Sequence, residues 1–70
     1  MTTRVLFRHM RALGYCARGV RDFYGRHGLD YPAMLREGTD AAAILATGDA
    51  MARRAVEVAE AEAAAAREES

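Results

Sequence analysis

The sequence predicts an all-α protein, a compact bundle of about five short helices with the last helix longest. Three observations predict it. Gly14, Gly28, Gly38 and Gly48 fall at intervals that suit helix stops, because the residue just past a helix end often turns left-handed and glycine does so without strain. Between them, apolar residues recur three and four positions apart, the period of one helix face. Period-two alternation, which half-buried strands require, is almost absent.

The first helix is expected after Thr2 or Thr3 as N-cap, with Leu6, Met10 and Leu13 at i, i+4 and i+7, and it stops at Gly14. A short strand over Val5 to Phe7 is the alternative. The second runs from about Cys16 to His27, placing Cys16, Val20, Phe23, Tyr24 and His27 on one face and Arg18, Arg21, Asp22 and Arg26 on the other. His27-Gly28-Leu29 reads as its glycine C-cap. Interior Gly19 and Gly25 each cost about 1 kcal/mol relative to alanine, partly offset by Arg18/Asp22 and Asp22/Arg26 pairs four apart. Tertiary packing must therefore hold this helix.

The third helix opens at "DYP", with Asp30 or Tyr31 as cap and Pro32 in the first turn, uses Met34 and Leu35 as its apolar side, and closes at Gly38. Thr39 then caps "DAAAILA", which ends at Thr47-Gly48. The last helix starts from Asp49. Met51, Ala52, Ala55, Val56, Val58, Ala59 and Ala63 share its broad apolar face, and Arg53, Arg54, Glu57 and Glu60 the other. Beyond Ala61 the large apolar residues stop. The expected organisation is one helical domain over 1–60 and an Ala/Glu-rich tail over 61–70, helical or frayed.

Seventy residues make one small domain, and a chain this short buries only about 60% of the surface its unfolded form exposes. A partner or a second copy would stabilise it. Ten basic residues balance ten acidic ones, but not evenly: Met1 to Arg36 carries net +5 and Glu37 to Ser70 net −5. One half could approach phosphates or an acidic protein face while the other is repelled, and head-to-tail self-association follows as naturally. Every basic residue is arginine and sixteen residues are alanine; a GC-rich genome explains both. The single Cys16 suits a reducing, cytoplasmic setting. The start lacks a signal-peptide pattern, and no stretch approaches the ~18 apolar residues of a membrane span, so no membrane partner is expected.

No constellation for chemistry stands out. Cys16 lacks a base at a local catalytic spacing, and His9, Cys16 and His27 lack the C-x-x-C or H-x-x-x-H spacing of zinc ligands. The carboxylates cluster on the last helix, and no glycine-rich phosphate loop is present. We expect no enzyme, cofactor or metal, and two candidate interaction faces: a basic one at Arg18, Arg21 and Arg26, and an acidic one at Glu57 and Glu60.

Two resemblances bear on function. "GYCARGVRDFYGRHGL" resembles the second-helix region of mercury-resistance-type helix-turn-helix regulators, in which a turn glycine, an arginine, an aromatic pair and a Gly-Leu close recur. That resemblance implies that Arg18, Arg21 and Arg26 contact DNA. Over more of the chain, "ALGYCARGVRDFYGRHGLD", "MLREG" and "LATGDAMARRAVEVAE" are similar to small uncharacterised prophage and tailed-phage proteins of GC-rich proteobacteria. This second resemblance implies a virion structural or assembly component acting by protein contact, in the bacterial cytoplasm or the virion. A helix-turn-helix regulator is the alternative, and an inhibitor of a host protein the second alternative.

Overall fold

Val5 is fully buried while Arg4 beside it is exposed, and the two form a strand where a helix was expected. A computed structural model describes residues 3–69. Strand β1 (Arg4–Val5) leads into α1 (Phe7–Arg11), then α2 (Ala17–Arg26), α3 (Tyr31–Glu37), β2 (Thr39–Asp40), α4 (Ala41–Leu45) and α5 (Ala50–Glu69). β1 and β2 pair antiparallel, Arg4 opposite Asp40 and Val5 opposite Thr39. The fold is thus mostly helical, with its longest helix last, but it is not purely all-α.

The strand pair explains several corrections at once. Thr3 caps no helix; its carbonyl accepts a hydrogen bond from the Ala41 N–H at 2.9 Å, satisfying a donor at the start of α4. Thr2 lies outside the described residues. Thr39 joins the ladder and leaves the N-cap position of α4 to Asp40, whose side chain makes no capping bond. Arg4 does not pair with Asp40 across the ladder. Its guanidinium donates instead to the carbonyls of Glu37 (3.3 Å) and Gly38 (2.9 Å), placing a cation at the C-terminal end of α3.

Gly38 makes this crossing feasible. It has φ +81°, it is buried, and a Cβ built there would meet Leu6 Cδ2 at 2.6 Å and the Val5 carbonyl at 3.0 Å. Only a residue without a side chain fits beneath the strand.

The remaining helix ends follow their caps. Asp30 Oδ1 accepts from the Ala33 N–H at 2.9 Å, with Pro32 in the first turn of α3. Asp49 Oδ1 accepts from Met51 N–H at 2.8 Å ahead of α5. α2 closes in a Schellman turn: Leu29 N–H reaches the Tyr24 carbonyl at 2.8 Å around Gly28 at φ +67°.

The core gathers Val5, Met10, Val20, Phe23, Tyr24, Met34 and Ile44 against Ala52, Ala55, Val56 and Ala59 of α5. Small alanines let the neighbouring elements lie close to the α5 backbone. The crevice where Met10, Phe23 and Ile44 meet α5 leaves no room for a water molecule. Tyr24 brings its hydroxyl into this core and pairs it with Thr39 Oγ1 at 2.6 Å, joining α2 to β2. Leu35, expected on the apolar side of its helix, is 52% exposed, and Leu45 is 43% exposed. On helices as short as α3 and α4, one large residue each, Met34 and Ile44, faces the core.

Candidate functional site

The outer face of α2 is the most distinctive surface. Val20, Phe23 and Tyr24 turn inward, and Arg18, Arg21, Asp22 and Arg26 turn outward and are all exposed. The Arg18/Asp22 and Asp22/Arg26 pairs expected from spacing do not form; among the described residues Glu62 pairs with Arg8 and lies beside His9. Side chains this exposed gain little from pairing in water, so the arginines stay solvated. Between them Gly19 and Gly25 also face outward. A Cβ at Gly25 would meet nothing within 4 Å, and one at Gly19 only the Cys16 sulfur at 3.5 Å. The result is a broad open depression lined by Gly19, Arg21, Asp22, Gly25 and Arg26.

Cys16 was expected on the buried face and is exposed. It is the N-cap of α2, with extended backbone (φ −87°, ψ 158°), so the helical wheel does not apply to it. Its sulfur accepts from the Gly19 N–H at 3.4 Å, a capping role more often filled by an oxygen. His27, also assigned to the apolar face, is exposed, yet its ring lies 4.7 Å from that of Phe23 and shields it from one side.

On α5, Glu57 and Glu60 are exposed as expected, with Glu68 further along the same outward side. The helix continues through Glu69, and Ala63 and Ala64 are half-buried. Glu62 ties this segment to α1. Glu62 forms an ion pair with Arg8, and its Oε2 lies 3.2 Å from Nε2 of His9.

Sequence reasoning missed this cluster. His9 is 3% exposed and sits at the third position of α1, where its Nδ1 accepts from the Leu6 N–H at 2.8 Å. A glutamate or glutamine commonly plays that part in a capping box. Because Nδ1 is an acceptor, the neutral ring carries its proton on Nε2, toward Glu62. That contact is close but off the line of a good hydrogen bond. The Arg8 hydrogen bond, and after it His9, hold the Glu62 carboxyl below its ordinary range. The missed signal was a histidine three residues after the start of an apolar turn, detectable only once that start is placed at Leu6.

Among the described residues no three His, Cys, Asp or Glu side chains converge to hold a metal ion, and no helix is long and apolar enough to cross a membrane. The class the fold defines is a small, mostly helical domain with a two-stranded tie. No family model, no curated protein and no solved structure matches the chain.

Proposed function

We propose that this chain is a contact protein of a tailed phage or prophage, a virion structural or assembly component that works by binding protein. The observation that carries the reading is the outer face of α2. Three arginines with no ion pair among the described residues stand beside two helical glycines, Gly25, where the missing side chain leaves open space, and Gly19, where a Cβ would touch only the Cys16 sulfur. Each such glycine costs about 1 kcal/mol relative to alanine, and nothing inside the molecule uses the space. A partner that approaches the α2 backbone closely would use it. The phage setting rests on the sequence resemblance.

A second reading has its own observation. α1, a turn through left-handed Gly14 at φ +82°, and α2 with its arginines outward follow one another as the parts of a helix-turn-helix do. The packing favours the first reading, since α1 seats mainly on α5 and α2 on α3. The two helices of a DNA-reading pair instead brace each other.

The test is a triple replacement, Arg18→Ala with Arg21→Ala and Arg26→Ala, in the phage that encodes the chain. The protein should fold as before and the yield of infectious particles should fall. Full yield with altered transcription would transfer the face to DNA.

A further inference from the structure

We propose that the partner of the α2 face is the outer face of α5 on a second copy of this chain. The proposal deepens the contact reading and rests on it.

The argument starts from the rows of residues four apart that a helix presents to a packed neighbour. On α2 the exposed row is Arg18, Asp22, Arg26; on α5 it is Glu60 and Glu68, both exposed, with half-buried Ala64 between them. Both rows cover the same length, about 12 Å at 1.5 Å per residue. Laid antiparallel, Arg18 meets Glu68, Arg26 meets Glu60, and Asp22, the one acid in the basic row, meets the methyl group of Ala64. Arg18 and Arg26 each find a carboxylate and the acid finds none. The antiparallel sense also sets the two helix dipoles favourably.

Small residues flank both rows. Gly25 lies beside the α2 row and Ala61 and Ala65 beside the α5 row, so the backbones can approach closely enough for the charged ends to meet. Glu60 and Glu68 are exposed and carry no ion pair among the described residues, whereas Glu62 on the same helix is paired with Arg8 and lies beside His9.

A copy cannot pair its own two faces. Phe23 of α2 and Ala52 and Ala55 of α5 line one internal crevice, so the outer faces of the two helices point away from each other across the molecule. The α2 face of one copy therefore meets the α5 face of the next, and the contact repeats head to tail. Such a contact closes into a ring or continues as a filament, according to the rotation between copies. Net charges of +5 on the first half and −5 on the second draw copies together in that order.

Sedimentation velocity over a concentration series tests this at about 0.1 M and about 1 M salt, a range over which the screening length falls from roughly 10 to 3 Å. The wild-type chain should grow past the dimer with concentration and dissociate as salt rises. Arg18→Glu with Arg26→Glu should raise the apparent dissociation constant at least about tenfold, and Glu60→Arg with Glu68→Arg should do the same. Mixed in equal amounts, the two variants should assemble again, because each then offers a face complementary to the other. All substituted positions are exposed, and circular dichroism confirms that each variant folds.

A wild-type chain that stays monomeric overturns the assignment of a second copy as partner. So do variants that self-associate like the wild type, or a mixture that does not assemble. The contact reading then stands or falls on the particle-yield test. A duplex bound sequence-selectively by wild type and lost with the arginine reversals overturns both.

Discussion

Gly25→Ala separates what the chain needs in order to fold from what it needs in order to bind. Gly25 lies inside α2, on the exposed side, and a Cβ there has open space within 4 Å. Alanine therefore adds no clash, and the gain is helix propensity together with a less disordered unfolded chain, about 0.8–1.0 kcal/mol. For a domain of this size each kcal/mol moves Tm by roughly 4–8 °C. Thermal unfolding followed by circular dichroism in dilute, high-salt solution should show that rise, while association at low salt weakens because the added methyl group separates the paired backbones. Gly28→Ala is the control. It makes the same chemical change at φ +67° and should cost about 1 kcal/mol or somewhat more. A Gly25→Ala chain that is no more stable than wild type would refute the placement of Gly25 on an open helix face. One that is more stable but associates as tightly would mean that the glycine is not there for close approach.

Three further outcomes follow from the interior. Gly38→Ala combines a left-handed backbone with overlap against Leu6 and the Val5 carbonyl, so it should lose roughly 2–5 kcal/mol and detach β1, read by denaturant unfolding. Tyr24→Phe removes the bond to Thr39 Oγ1 while keeping the ring, and should cost about 0.5–1.5 kcal/mol. Glu62 has a folded-state pKa below its ordinary 4.5, with the Arg8 bond as the main cause. Its stabilising contribution is therefore present above that pH and is lost as pH falls through the folded value. Wild type and Glu62→Gln should differ in Tm near neutrality and converge in acid.

The helices were legible where the chain is long enough to show a period. α2 and α5 carry their apolar residues at helical spacing, and Gly28, Asp30 and Asp49 mark ends that the structure keeps. The first strand was legible only as the alternative over Val5 to Phe7, of which Val5 alone lies in β1, because two residues are too few to set a period and the hydrogen bonds that define the pair come from a segment 34 to 36 positions away. Cys16 was misplaced because wheel geometry was extended one residue past the start of the helix, into extended backbone. Of the charged surfaces, the arginines of α2 were readable from spacing alone. The openness of Gly19 and Gly25 was not, since a sequence does not say whether a glycine is crowded or bare.

Backbone amide chemical shifts followed on dilution at low salt test the central claim most directly, because they report which residues meet when copies associate. The account predicts that shifts move with concentration along the outer side of α2 from Arg18 to Arg26 and along α5 from Glu57 to Glu68, and that both sets stop moving at high salt. Shifts confined to any other surface, or none on either helix as concentration rises, would contradict it.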